Sequence, residues 1–295
     1  MSSVLYDSPG PKARRRALIG TVVATAVLLG LLALAIKRFA DRDQFDMDLW
    51  GPLIDPSHEN FSRVWELLGK ALLNTLLAAA GAIVLSLIIG TILGVARMML
   101  PRRARIPIIV WIELWRGLPV VVTLAIVWRF TEELNIDLGA LPGSDWYWIV
   151  VIGLTFYNSV IIAEILRAGV ASLPSGQGEA ARAVGMTERQ AMTTVLLPQA
   201  FRTMLPALIS QLVVALKDTS LIAAIGGGYI ELAKRGSLLA LTLDNLLQIV
   251  VVIAVIYIAI NYALSKLAVW VEKRLSRSQT QMAAADVAAT TDVGA

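Results

Sequence analysis

Cysteine is absent from this 295-residue chain, and histidine occurs only once, at His58. The first absence excludes disulfides and thiol chemistry, and the second leaves little basis for a histidine-ligated metal site. The sequence therefore predicts no metal site, and no recognised catalytic motif indicates an active centre. Neither absence fixes the compartment in which the chain works.

Charge is also scarce, since charged residues make up 16% of the chain and hydrophobic residues 57%. The mean hydropathy is +0.70. A water-soluble globule of this size needs more polar surface, so the composition indicates an integral membrane protein. The net charge of +4 does not indicate a nucleic-acid partner, because basic residues of membrane proteins collect on the cytoplasmic side.

Long apolar runs are what the sequence has instead. A transmembrane helix needs about 20 apolar residues. Six runs of this kind lie at about 17–36, 67–96, 107–128, 146–163, 203–226 and 246–265. The sequence thus predicts an all-α fold with six transmembrane helices.

The basic residues are divided unevenly between the two sets of loops. If the N terminus is cytoplasmic, sixteen of the 26 Lys and Arg residues fall in cytoplasmic segments and seven in the opposite loops. By the positive-inside rule, both termini are then cytoplasmic. Residues 14–35 also have features of a cleaved signal peptide. Their apolar run is longer than usual for one, so an uncleaved first helix is favoured.

Composition also divides the chain into segments. Residues 1–16 are predicted as a cytoplasmic tail and 17–36 as the first helix. Residues 37–66 read as an Asp-rich extracytoplasmic segment with turns at Gly51-Pro52 and Asp55-Pro56. Residues 67–270 form the main transmembrane domain. The polar, alanine-rich residues 271–295 predict a disordered cytoplasmic tail.

One cytoplasmic loop, at about 174–198, has a distinct pattern. Glu179 is expected in the first turn of a short helix, where the helix dipole favours an anion. Gly185 provides a C-cap residue that can take positive φ. A capping box at Thr187 then starts a second helix, which Pro198 ends or kinks. The pattern predicts a helix-turn-helix knob that another protein can approach closely.

The same residues carry a resemblance. Glu179-Ala180-Ala181, Gly185 and Leu197-Pro198 stand at the spacing of the EAA loop of ABC importer permeases, with Val195 where isoleucine is usual. In that family the loop docks into a cleft of the ATP-hydrolysing subunit. The resemblance implies the type I ABC importer permease fold and an ATPase-coupling role for these residues, which are Glu179, Ala180, Ala181, Gly185, Leu197 and Pro198. Glu179 either pairs with a basic partner residue or caps its own helix.

Further stretches, among them "WIELWRGLPVVV" and "LKDTSLIAAIG", resemble the polar amino acid branch of these permeases. The likeness covers about 67–270, so 17–36 is an added helix before a five-helix core. The first residues, "LYDSPGPKARRR", are similar to the start of actinobacterial glutamate permeases. The resemblance implies glutamate import across the bacterial cytoplasmic membrane, with glutamine or another polar amino acid as the alternative.

The partners follow from the resemblance and from a missing motif. The glycine-rich segment 226–228 lacks the G-K-[ST] of a P-loop. ATP and Mg²⁺ are therefore expected on a partner, and this chain binds no cofactor of its own. The implied assembly has two ATPase subunits, a second permease that is a related but distinct chain, and an extracytoplasmic solute-binding protein.

Charges inside the apolar runs are candidates for the substrate path or for gating, because an isolated charge there costs several kcal/mol. Glu113 and Arg116 share a helix face and precede Gly117 and Pro119, which can break the helix. Arg116 is a candidate for binding a substrate carboxylate. Pairing of Arg116 with Glu113 or with another helix is the favoured alternative.

Two further charged pairs remain. Glu164 and Arg167 have the same spacing nearer the inner surface and are interpreted as structural or gating residues. Lys217 and Asp218 are adjacent, so they point in different directions and contact separate partners, with solute or the opposing subunit among the options. An ATP-independent secondary transporter would also have six spans and buried charges. It would have no use for the EAA-like loop.

Overall fold

The computed structural model describes residues 10–292, with side chains through residue 270 except Ala268. Its helices are α1 (Pro11–Ala40), α2 (Met47–Ile54), α3 (Phe61–Met99), α4 (Arg102–Gly117), α5 (Val120–Glu133), α6 (Asp145–Ser172), α7 (Ser175–Ala183), α8 (Glu188–Gln190), α9 (Leu197–Asp218), α10 (Leu221–Ala224), α11 (Leu232–Leu243) and α12 (Leu246–Asp292). A π-helical segment, Ala191–Leu196, joins α8 to α9.

Five helical stretches are long and apolar enough to cross a membrane: α1, α3, α6, the continuous stretch from α8 to α10, and α12. The helices α4 and α5 qualify only as a pair, and their axes differ by 111°. With 16 and 14 residues, neither is long enough to span the hydrocarbon core alone. The expected helical membrane fold is confirmed, with five spans or six if the bent pair counts as one. The run 107–128 is not the single helix that was predicted.

Helix α6 lies at the centre of the fold, and α3 packs along it. In the most apolar 18-residue stretch of α6, 67% of the residues are buried. A Cβ atom on Gly90 of α3 would lie 2.6 Å from the Ser159 carbonyl oxygen, and one on Gly94 would lie 3.1 Å from the Ala163 oxygen. Small residues of this kind let two membrane helices approach closely. By contrast, α1 has no buried residue.

The segment before α3 folds over the start of α12. The Gln248 amide donates to the Gln44 carbonyl at 2.7 Å, and the Asn245 amide donates to the Leu49 carbonyl at 3.1 Å. Gly51 and Pro52, expected in a turn, lie inside α2 instead. Pro52 is the sixth residue of this eight-residue helix, past its first turn, so α2 lacks the backbone hydrogen bond that an N–H at this position would donate. Helix α11 was not predicted, and buried Glu231 caps its N terminus through two backbone N–H groups.

Several segment boundaries also differ from the sequence-based ones. Helix α1 begins at Pro11, so 11–16 are helical, while residues 1–9 lie outside the described part. Helix α3 begins at Phe61 rather than at 67. Helix α12 continues to Asp292, where a disordered tail was expected from 271. The alanines in this stretch favour a helix. The last part of that tail, 293–295, lies outside the described residues.

Candidate functional site: the EAA-like loop and the charged residues beside it

The EAA-like loop (174–198) contains a tight turn at Gly185. The Gly185 N–H donates to the Arg182 carbonyl at 2.9 Å, and the Met186 N–H donates to the Ala181 carbonyl at 3.1 Å. Together these bonds form a Schellman motif, which requires a left-handed residue. Gly185 has φ +84°, and glycine takes this conformation without the Cβ penalty. Gly185 therefore ends α7 and sets the angle to the next helix.

The second half of the loop runs directly into α9. Thr187 and Gln190 form a capping box that starts α8, and the π-helical segment follows. Pro198, near the start of α9, has no N–H, and its ring excludes the carbonyl four residues earlier from a normal α-helix. The wider π turn relieves this conflict. Pro198 was predicted to end or to kink the second helix. It does not end it, because the π-helical segment runs directly into α9.

The exposed side of α7 differs from its packed side. Glu179 and Ala180 are exposed, whereas Ala181 is 5% exposed and packs inward. The helix begins at Ser175, and its first turn has no acidic residue. The expectation that Glu179 lies in the first turn is therefore wrong, because α7 starts earlier than the sequence indicated. Among the described side chains, the Glu179 carboxylate has no hydrogen-bond or ion-pair partner.

The other two loop residues lie at the base of the knob. Leu197 is half-buried and Pro198 is exposed. Gln199 donates to the Gln177 side chain at 3.2 Å, which ties α9 to α7. The loop is therefore a folded unit that presents Glu179, Ala180 and Gly185 outward.

Five charged side chains from three helices meet near the end of α6 that leads into the EAA-like loop. This charge cluster consists of Arg97 of α3, Glu113 and Arg116 of α4, and Glu164 and Arg167 of α6. Glu164 is its centre, since it accepts from Arg97 and lies 3.0 Å from Arg167 Nε and 4.0 Å from Arg116 Nη1. Glu113 lies 2.5 Å from Arg116 and 3.8 Å from Arg97.

The cluster joins residues that the sequence treated separately. The Glu113–Arg116 and Glu164–Arg167 pairs are both formed. Arg116 also approaches Glu164 of α6, so its contacts are those of the favoured alternative, in which Arg116 pairs with other protein groups. Arg97 was missed as a member, because it was counted only among the loop cations. A signal was present: Arg97 ends the second apolar run on the same predicted side where Glu164 ends the fourth.

The chain breaks between α4 and α5 at Leu118. This residue has extended backbone angles, φ −90° and ψ 141°. The following Pro119 disfavours the α conformation at Leu118 for steric reasons. Gly117 and Pro119, singled out in the sequence, thus flank the break.

Lys217 and Asp218 are the last residues of α9 and do not act as a pair. The Lys217 side chain is exposed and lines a cavity of about 390 Å³ together with Ser220, Tyr257 and Asn261. Asp218 is half-buried, and its Oδ2 has no hydrogen-bond partner among the described residues. The sequence placed these charges inside the apolar run 203–226, and in the structure they end α9, with α10 beginning at Leu221 in the same candidate span.

The glycine-rich segment 226–228 packs closely against neighbouring side chains. A Cβ atom on Gly228 would lie 2.4 Å from Trp146 Nε1, and one on Gly227 would lie 2.7 Å from Ile222. The segment borders a cleft of about 690 Å³ with Asn74, Tyr147 and Tyr229 in its lining. No group of His, Asp and Glu residues in the described chain could hold a metal ion.

A family comparison covers most of this helical core. Residues 70–277 match the model of the family described as "binding-protein-dependent transport system inner membrane component". The match includes the EAA-like loop, the charge cluster and the Lys217 cavity. It begins after α1 and α2.

Individual relatives agree with this family. The chain is 41% identical over 234 residues to the glutamate transport system permease protein GluD of Corynebacterium glutamicum, covering 79% of this chain and 81% of that protein. It is 33% identical over 211 residues to the L-cystine transport system permease protein TcyL of Bacillus subtilis, covering 67% and 84%.

A solved structure shares the fold. It is the crystal structure of an amino acid ABC transporter with histidines, 27% identical, with a TM-score of 0.64 and coverage of 72% of this chain and 96% of that one. The chain therefore belongs to the family of binding-protein-dependent transport system inner membrane components, the membrane permease subunits of ABC transporters, which are not themselves enzymes.

Proposed function

We propose that this chain is the permease subunit of an ATP-driven amino acid importer, with glutamate as its substrate. The observation that carries the proposal is the folded EAA-like loop, whose glycine-ended helix presents an unpaired Glu179 and small side chains to a partner. The 41% identity to a glutamate permease supports the choice of substrate. Glutamine or another polar amino acid is the second candidate.

The coupling step uses the outward face of the EAA-like loop. A separate ATPase subunit, with ATP and Mg²⁺ bound to it, receives Glu179, Ala180, Ala181 and Gly185 in its cleft. The complete assembly has two such ATPases, a second permease that is a distinct chain, and an extracytoplasmic solute-binding protein. It works in the bacterial cytoplasmic membrane, with the loop and both termini on the inner side.

The charge cluster offers a route from this loop to the membrane helices. Helix α6 carries Glu164 and continues, after Leu173 and Pro174, into α7. A displacement of α7 therefore acts on Glu164, and through Arg97 and Arg116 on α3 and α4. The α4–α5 break at Leu118 gives α4 freedom to move separately from α5. In this account Glu113, Arg116, Glu164 and Arg167 act in gating.

The Lys217 cavity is the proposed contact point for the substrate. An exposed ammonium group inside a candidate membrane span must face protein or a water-filled path, because contact with lipid is costly. Lys217 supplies a positive charge that forms no ion pair with a described side chain, whereas Ser220, Tyr257 and Asn261 beside it donate to the Lys217 carbonyl, to Glu231 and to the Tyr257 carbonyl. The free ammonium group is therefore the donor for a carboxylate of glutamate.

The test is uptake of radiolabelled glutamate into proteoliposomes that contain the assembled transporter, with solute-binding protein outside and ATP inside. Unlabelled glutamate, glutamine, arginine and histidine serve as competitors. We expect glutamate to compete best and Lys217→Gln to lower glutamate uptake roughly tenfold or more, since a hydrogen bond to a charged group contributes about 1.5–3 kcal/mol.

A matched control is Lys70→Gln, which removes an exposed lysine in an ion pair with Glu66. It should leave uptake unchanged. Better competition by glutamine than by glutamate would reassign the substrate. Equal uptake in the Lys217→Gln and Lys70→Gln transporters would remove Lys217 from the path.

A further inference from the structure

Helix α4 has three different faces. Ile112 and Trp115 are 0% and 8% exposed and pack into the core. Glu113 and Arg116 point to the charge cluster. The third face carries Ile106, Val110 and Leu114, which are 53%, 59% and 54% exposed and four residues apart. Residues at this spacing form one continuous stripe on a helix, so α4 presents an apolar stripe that no described part of the chain covers.

Three arginines stand at the start of the same helix. Arg102 and Arg103 are exposed, and Arg105 is half-buried with a buried Nε atom that has no hydrogen-bond partner. None of the three forms an ion pair with a described residue. No acidic residue occurs between positions 98 and 112. This end of α4 therefore has a concentrated positive charge without an internal counter-charge.

The stripe and the arginines are aligned. Arg103 precedes Ile106, Val110 and Leu114 by three, seven and eleven residues, so it lies on the same face at the end of the stripe. Trp111, 38% exposed, lies beside the stripe, and tryptophan is enriched where membrane and water meet. Helix α4 is also inclined by 111° to α5, so the two cannot both follow the membrane normal.

We propose that α4 lies obliquely in one leaflet and holds an anionic phospholipid there. The acyl chains cover Ile106, Val110 and Leu114, and the headgroup phosphate binds Arg102 and Arg103. Basic residues at the end of an amphipathic helix are the expected partners of anionic headgroups. The phospholipid also acts on α4 next to the charge cluster, since Glu113 and Arg116 follow on the same helix.

The experiment measures phosphatidylglycerol retained by the purified complex. The complex is placed in nanodiscs of phosphatidylcholine with added phosphatidylglycerol, then delipidated stepwise and weighed by native mass spectrometry. We expect Arg102→Gln/Arg103→Gln to lose the most tightly retained phosphatidylglycerol. The control, Lys37→Gln/Arg38→Gln, removes the same charge at the end of α1 and should keep it.

A second measurement identifies what covers the stripe. A photoreactive group carried on an acyl chain of phosphatidylglycerol should crosslink to residues 106–114 in the assembled complex. Absence of crosslinks there would mean that another subunit covers α4. Equal phosphatidylglycerol retention in the wild type and in the Arg102→Gln/Arg103→Gln complex would equally overturn the proposal. Neither readout depends on transport.

Discussion

At the residue scale, Glu164 is the carboxylate that contacts all three arginines of the charge cluster. It contacts Arg97, Arg116 and Arg167, and its side chain is only 16% exposed. Its partners differ in burial, because Arg97 is 18% exposed and Arg116 is 48% exposed. The energetic importance of the cluster therefore lies mainly in the Arg97–Glu164 contact between α3 and α6, since exposed pairs contribute little.

We expect Glu164→Gln to lower stability by about 2–3 kcal/mol, because it leaves the poorly solvated Arg97 with only the more distant Glu113, at 3.8 Å, as a counter-charge. This is less than the roughly 3–5 kcal/mol measured when fully buried pairs are broken. The measurement is the melting temperature of the purified protein in detergent. Glu66→Gln, which removes an exposed partner of Arg63 and Lys70, is the control and should change little. An unchanged melting temperature for Glu164→Gln would refute the central position of Glu164.

Residue spacing predicted part of this cluster. The three-residue separation of Glu113 from Arg116, and of Glu164 from Arg167, is a local signal that a sequence contains. The contact of Arg97 with Glu164 joins residues 67 positions apart, and no periodicity specifies such a pairing. The early start of α7 was missed because Glu179 was expected in its first turn, whereas α6 ends at Ser172 and α7 already begins at Ser175.

At the scale of elements, the contact of α3 with α6 depends on glycine. A Cβ atom at Gly90 would come within 2.6 Å of a backbone oxygen and 2.8 Å of Ile162. Backbone cannot move aside as a side chain does, so a larger residue must separate the two helices. The sequence contained the glycines but gave no sign of which helix each one faces.

We predict that Gly90→Val destabilises the protein by about 1–3 kcal/mol, the usual cost of overpacking. Gly20→Val in α1 is the control, because a Cβ atom there meets nothing within 4 Å. Both changes put a β-branched residue into a membrane helix, so their difference reports the helix contact. Melting temperatures in detergent provide the comparison. Equal melting temperatures would contradict tight α3–α6 packing.

A second prediction at this scale concerns the π-helical segment Ala191–Leu196. Pro198→Ala restores an N–H and removes the ring that the π-helical segment accommodates, so this segment should shorten to an α-helix. Stability should stay equal or rise, whereas ATP-dependent uptake should fall because the EAA-like loop is reoriented. Uptake and melting temperature measured on the same preparation separate the two effects. Unchanged uptake would mean that the π turn has no part in coupling.

At the scale of the whole molecule, the membrane character of the chain was predictable from its apolar runs, whereas the number of spans was not. The run 107–128 has the length of a helix and is divided at Leu118 by the geometry that Pro119 imposes. The distribution of Lys and Arg predicts the orientation, with the EAA-like loop on the cytoplasmic side. A chain without cysteine makes that inference directly testable.

Single-cysteine variants should show on which side of the membrane each loop lies. We expect Ser57→Cys, between α2 and α3, to react with a membrane-impermeant maleimide added to intact spheroplasts. Ser175→Cys, at the start of α7, should react only after permeabilisation. Both positions are exposed, so differences in burial do not explain the result. The reverse pattern would place the EAA-like loop outside and exclude an intracellular ATPase as its partner.

The central claim is that ATP hydrolysis on a partner drives transport through the EAA-like loop. Its most direct test is amino acid uptake into proteoliposomes with and without internal ATP, for the wild type, Gly185→Asn and Gly185→Arg. Asparagine tolerates positive φ and is small, while arginine adds backbone strain and a long side chain on the docking face. We predict ATP-dependent uptake that persists in Gly185→Asn and is lost in Gly185→Arg. Uptake by the wild type without ATP, or full activity of Gly185→Arg, would contradict the account.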